Sequence, residues 1–256
     1  MGNVGLLLVG VVLFVNGLVS IGVVDARSAA PLNLFVGAAQ VVLPTLVLVQ
    51  AHGDTGIVNA TWPSYLFGFT YLWFGLIQIY EIETQGFGWY SAFVAAIAAF
   101  YAIKSVGSDP VFAVIWATWA TMWSLFFVLL GLGVDRIRNL DLGRFTGWIL
   151  ILLGIPTCTV PAILLLNNIW STTPLVGFAA LAGLVVTAGL SAALAGRSTR
   201  TDEGSADVSH GGGWGGREVV QAFAVRGEAV PVDLVDGAAG VHGDPDPNML
   251  IGQPRE

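Results

Sequence analysis

Seven stretches of 17 to 24 residues carry no Asp, Glu, Lys or Arg. They are Val4–Val24, Asn33–Ala51, Trp62–Tyr80, Phe87–Ile103, Val111–Val134, Phe145–Leu166 and Leu175–Ala195. A helix needs roughly 20 mainly apolar residues to cross a bilayer, because each residue rises about 1.5 Å through a hydrocarbon core about 30 Å thick. Strands of a membrane barrel would alternate apolar and polar residues over about ten positions, and the stretches show no such alternation. The expected fold is an all-α membrane protein, a bundle of six transmembrane helices plus a seventh and a polar tail. Composition agrees: 55% of the 256 residues are hydrophobic and only 11% charged, against about 25% charged in soluble domains.

Charge is distributed unevenly along the chain. Residues 1–196 hold 5 basic and 7 acidic side chains, and residues 197–256 hold 5 and 10, which together give the net −7. The break marks a membrane domain, six spans over 1–170 and an additional helix over 171–196, followed by an acidic Gly/Pro-rich tail (197–256), expected to be mostly disordered because such composition cannot bury enough apolar surface. An excess of negative charge excludes nucleic acid as a partner. The single Cys, Cys158, excludes an intrachain disulfide. Counting Arg and Lys in the loops orients the chain: Arg27, Arg136, Arg138, Arg144 and the tail fall on one side, and Lys104 alone on the other. The positive-inside rule then sets the N-terminus outside and the C-terminus in the cytoplasm. With no basic segment before the first span, that span is not expected to be a cleaved signal.

Absent residues exclude several activities. Proton relays and coupled transporters place ionisable groups inside their spans, and these spans have none. His52 is the only His before the tail, so no His, Cys or carboxylate cluster can hold a metal. No catalytic set and no cofactor site is expected.

Aromatic and neutral polar residues remain. Phe112, Trp116, Trp119 and Trp123 recur at intervals of 4, 3 and 4 on one face of the fifth span. Phe67, Tyr71 and Phe74 share a face of the third span, with Gln78 next at the same spacing, and Leu6, Leu13 and Asn16 stand in the first. Interfacial Trp belts sit at helix ends, whereas the Trp stripe runs about 16 Å along the axis. Such a stripe either packs against neighbours or lines a path, and spacing alone does not choose. Asn16, Gln40 and Thr118 can equally bond between helices.

The strings Gly10-Val-Val-Leu-Phe-Val-Asn16-Gly17, Asn33-Leu-Phe-Val-Gly37, Phe67-Gly-Phe-Thr-Tyr71-Leu-Trp73, Trp89-Tyr-Ser-Ala-Phe-Val94, Trp116-Ala-Thr-Trp119-Ala-Thr-Met-Trp123 and Leu142-Gly-Arg-Phe-Thr146 resemble, in order, the AmiS/UreI family of bacterial amide and urea channels. The resemblance covers residues 1 to about 166. It implies three successive two-helix hairpins around one channel per protomer, six protomers in a ring, and a plasma-membrane location. The channel lining it implies is Leu6, Leu13, Phe67, Tyr71, Phe112, Trp116, Trp119 and Trp123, with Asn16 and Gln78 as further polar contacts. Depth along the helices sets Tyr71 and Leu13 level with Trp119, and Phe67 level with Trp116.

The expected function is a passive channel for urea and/or short-chain aliphatic amides. The alternatives are a membrane receptor or scaffold whose tail binds a partner, or a coupled small-solute transporter. Acid gating, which the resemblance associates with a His-rich outer surface and a Glu in the sixth span, is not expected: His52 stands alone and the Glu position falls on Leu153. The family commonly ends after six spans. The seventh, with Ala179, Gly183 and Thr187 at four-residue spacing, is expected to pack by this seam against the bundle or a neighbour.

Overall fold

The computed structural model describes residues 2–205, with side chains to 196. Helices α1 (Gly2–Ser20), α2 (Ala26–Gln50), the short α3 (Thr55–Thr61), α4 (Pro63–Tyr80), α5 (Gln85–Ser105) and α6 (Pro110–Phe126) follow in order. A π turn (Phe127–Gly131) extends α6, and a two-residue hairpin, β1 (Arg136–Ile137) with β2 (Leu140–Asp141), leads into α7 (Leu142–Gly154). A second π turn (Ile155–Thr159) joins α7 to α8 (Val160–Leu166), and α9 is Pro174–Ser205. The tail beyond 205 lies outside the described residues.

Loop aspartates start four of these helices. Asp25, Asp54, Asp109 and Asp141 accept backbone N–H bonds from Ser28, Ile57, Phe112 and Arg144 at 2.8–3.1 Å, which satisfies donors that a helix N-terminus leaves free. The Asp25 cap starts α2 seven residues before the uncharged stretch at Asn33, so Arg27 rides in its first turn. Among the described residues, six helices are long and apolar enough to cross a membrane. The exception among the expected spans is α4, where Ser64, Thr70, Tyr71 and Gln78 lower the hydropathy. Three of these four, Thr70, Tyr71 and Gln78, are buried. This helix is polar on the side that faces protein.

The helices close into a ring: α1 packs on α2 and α7, α2 on α4, α4 on α5, α5 on α6, and α6 on α7. The closest pairs are α2 with α4, α5 with α6, and α1 with α7. Glycine permits this proximity at two crossings. A Cβ on Gly17 would lie 2.7 Å from the Gly147 carbonyl oxygen, and one on Gly88 would lie 2.1 Å from the Gly131 nitrogen. Apolar side chains such as Phe35, Phe93, Phe100, Ile103 and Phe178 project from the outside of the bundle, where a bilayer would solvate them.

Helix α9 lies outside the ring against α6 and α7. Its contact side overlaps the expected seam in part: Gly183 and Thr187 border the crevice toward α6 and the α7–α8 segment. Ala179 and Gly183 are exposed, while Ala180, Leu184 and Ala188 pack on the core and Gly177 approaches Pro110. A crevice of about 340 Å³ remains between α9, α6 and the α7–α8 segment.

Candidate functional site

At the end of the ring bearing the N-terminus of α1, a cavity of about 170 Å³ is bounded by Leu6 and Val9 of α1, Gln40 of α2, Phe67 of α4, and Phe112, Trp116 and Trp119 of α6. Its floor is a cluster of rings. Phe67 lies 6.0 Å from Trp116, 5.2 Å from Trp119 and 5.3 Å from Trp123 between centroids, the last two edge-on. Trp116 and Trp119 meet edge-on at 4.8 Å, and Tyr101 stacks on Trp116 at 4.9 Å. Edge-to-face contacts of this kind hold rings in definite orientations.

Past the cluster, Leu13, Asn16, Tyr71, Phe74 and Trp123 border a second pocket of about 10 Å³, roughly the room of one water. All eight residues expected to line a channel therefore border one of two successive cavities. Their levels differ from the depth arithmetic. Trp119 stands in the outer cavity with Phe67, and it is Trp123 that shares the inner pocket with Tyr71 and Leu13. The helices start at different heights, so counting from their ends misplaces side chains by about a turn.

Two residues that border the inner pocket each bury a polar atom without a hydrogen-bond partner in the protein, Tyr71 its Oη and Trp123 its Nε1. Trp119 is satisfied: its Nε1 donates to Thr157 Oγ1 at 3.2 Å, and Thr157 donates to the Leu153 carbonyl at 2.6 Å. Thr157 belongs to the second π turn, which Pro156 helps to open because proline has no N–H to give the preceding turn. The hydroxyl of Thr159 in the same turn donates to the Leu7 carbonyl of α1 at 2.9 Å.

Beside the inner pocket, carboxamides from three helices join. Asn16 of α1 and Asn33 of α2 exchange two hydrogen bonds, each 2.8 Å, and Asn33 Nδ2 reaches Gln78 Oε1 of α4 at 3.0 Å. Asn16 borders the pocket; Gln78 does not. Sequence reasoning missed Asn33, Thr157 and Trp170. Trp170 packs on Phe112 at 5.1 Å and donates from Nε1 to Asp109 Oδ2 at 2.7 Å. Of these only Trp170 had a signal, an aromatic residue at the edge of a span. Among the described residues no three His, Cys, Asp or Glu gather as a metal site.

Residues 1–169 match the model of the AmiS/UreI family of transporters. The chain belongs to this family. A protein of Rhodococcus erythropolis named as the transporter AmiS2 is 53% identical over 197 residues, 76% of this chain and 93% of the relative. A Mycolicibacterium smegmatis protein named for transporting amidate substrates is 42% identical over 70% of this chain and 86% of its own length. The crystal structure of the Helicobacter pylori urea channel superposes with a TM-score of 0.59 at 31% identity, covering 67% of this chain and 100% of that one. AmiS/UreI proteins are transporters or channels rather than enzymes, and the helices of this member make it a multi-pass membrane protein.

Proposed function

We infer that this AmiS/UreI protein is a passive channel for urea and/or short-chain aliphatic amides, with Leu6, Leu13, Phe67, Tyr71, Phe112, Trp116, Trp119 and Trp123 as its walls. The observation that carries the reading is the pair of unpartnered buried donors, Tyr71 Oη and Trp123 Nε1, just past an aromatic constriction. Burying an amide with no partner costs roughly 2–7 kcal/mol. Two donors left free by the protein offset part of that cost for a carbonyl oxygen. Flat ring walls suit a planar solute, and the small inner pocket admits one such group at a time as the rings yield. Ions find no compensating charge, since neither cavity has an Asp, Glu, Lys, Arg or His on its wall.

The amide-related names of the Rhodococcus and Mycolicibacterium relatives and the urea channel of Helicobacter pylori support the solute class. The antiparallel pairing of α1 with α7 brings Arg27 and Arg144 to one end of the bundle, opposite the larger cavity. That arrangement favours an external N-terminus and a cytoplasmic C-terminus in a bacterial plasma membrane. A six-protomer ring surrounded by lipid completes the reading.

Stopped-flow light scattering on proteoliposomes tests it. Acetamide or urea should enter several-fold faster than into empty vesicles, and an uncoupler should leave the rate unchanged. Entry no faster than through bare lipid, with folded protein present, overturns the channel; accumulation that collapses with the uncoupler makes it a coupled transporter.

A further inference from the structure

The three joined carboxamides do not balance among themselves. Asn33 Nδ2 carries two hydrogens but faces three acceptors: Asn16 Oδ1 at 2.8 Å, Gln78 Oε1 at 3.0 Å and the Ala29 carbonyl at 3.3 Å. One acceptor is thus always in excess. Gln78 Nε2, in contrast, is buried with no acceptor at all, and the Gln78 residue is only 4% exposed. The group thus holds one spare donor on Gln78 and, in the Ala29 carbonyl, an alternative acceptor for an Asn33 hydrogen, which leaves Asn16 Oδ1 free to take another donor. A primary amide is the complement of that pair, a carbonyl oxygen beside an N–H.

We propose that Asn16, Asn33 and Gln78 form an amide-exchange station through which solute leaves the inner pocket. This rests on the channel reading above. The solute carbonyl accepts from Gln78 Nε2, and the solute N–H donates to Asn16 Oδ1 in place of Asn33. The displaced Asn33 hydrogen turns to the Ala29 carbonyl, whose 3.3 Å bond is the longest of the three. Every donor and acceptor keeps a partner through the exchange, so the step avoids the penalty of an unpaired buried group. The reciprocal Asn16–Asn33 pair, 2.8 Å in both directions, already has the double-bonded arrangement that two primary amides adopt with each other. The station therefore selects for the amide group itself, whereas the ring walls select for flatness and size. A small diol can offer the Gln78 donor a hydroxyl oxygen but lacks the rigid carbonyl–N–H pair that spans both groups, so it depends less on the station.

The test compares acetamide with ethylene glycol in the same proteoliposomes. Gln78→Met keeps the length of the side chain and removes its amino donor. Acetamide entry should fall roughly tenfold and ethylene glycol entry by less, so the ratio of the two rates falls. Gln78→Asn stays polar and draws the donor back by one methylene, and it should lower the same ratio less. It also decides the matter if Gln78→Met does not fold. Parallel slowing of both solutes would show a packing role and overturn the station. An acetamide rate equal to wild type would overturn it too, leaving the channel reading intact. Wild-type protein that speeds neither urea nor acetamide would overturn the channel reading and the station together.

Discussion

Trp119 and Tyr71 stand on opposite sides of the constriction and should fail in different ways. Trp119 is a wall of the outer cavity, fixed by its bond to Thr157. Trp119→Ala removes a ring from the floor, so larger amides such as butyramide should enter while acetamide entry persists or rises. Tyr71→Phe keeps the wall and removes only the unpartnered hydroxyl. The loss of one hydrogen bond at about 1 kcal/mol should slow acetamide about fivefold with no change in size cut-off. Both are read by stopped-flow entry of an amide series, and wild-type behaviour in both would make these rings packing alone. The Phe112–Trp123 stripe was legible because a helix repeats every 3.6 residues. The bond from Trp119 to Thr157 was not, since the π turn around Thr157 breaks the repeat on its own segment.

At the scale of elements, the bundle is held by aspartate caps and by glycines that let neighbouring helices approach closely. Asp109 and Asp141 both cap a helix, but only Asp109 also accepts the Trp170 indole N–H. Asp141→Ala should therefore cost about 1 kcal/mol. Asp109→Ala should cost more, because it also leaves Trp170 without its acceptor. Thermal melting in detergent should rank the two in that order, and an equal loss would show that the Trp170 bond contributes nothing. Gly88→Ala forces a Cβ to 2.1 Å from the Gly131 nitrogen. Backbone cannot yield as a flexible side chain does, so the α5–α6 crossing should part. The expected result is a destabilisation of about 1–3 kcal/mol, seen as a lower melting temperature. The exposed Arg27–Glu81 ion pair is a useful contrast: Glu81→Gln should change stability by less than about 1 kcal/mol.

For the molecule as a whole, the arrangement of charge predicts the response to pH. A relative in Helicobacter pylori is named an acid-activated urea channel, and this chain should behave differently. His52 is exposed at the end of α2, Asp54 and Asp109 are engaged as caps, and Leu153 is apolar and buried. Moving a two-state gate from 1:99 to 99:1 takes about 5.5 kcal/mol, while a pKa shift of one unit in one group supplies about 1.4 kcal/mol. Amide entry should be nearly flat between external pH 5 and 8. A reversible several-fold activation by acid that survives His52→Ala would assign gating to the capping carboxylates instead.

Seven uncharged stretches determined by themselves that this chain is a helical membrane bundle, since only helices and closed barrels satisfy backbone groups in hydrocarbon and the stretches lack a barrel's alternation. Period-3.6 spacing gathered the aromatic residues of the third and fifth spans onto single helix faces, and the resemblance of the strings around them named the eight residues that border the cavities. What lies between helices was decided only by the tertiary structure. Which aromatic rings share a level depends on where each cap starts its helix. Which side of α9 touches the ring, with Gly177 close to Pro110 and Ala180, Leu184 and Ala188 on the core, is likewise a matter of tertiary packing. The joining of Asn16, Asn33 and Gln78 brings together residues 17 and 45 positions apart. Local periodicity carries no record of such a meeting, because hydrogen bonds between helices depend on crossing geometry that no single helix encodes.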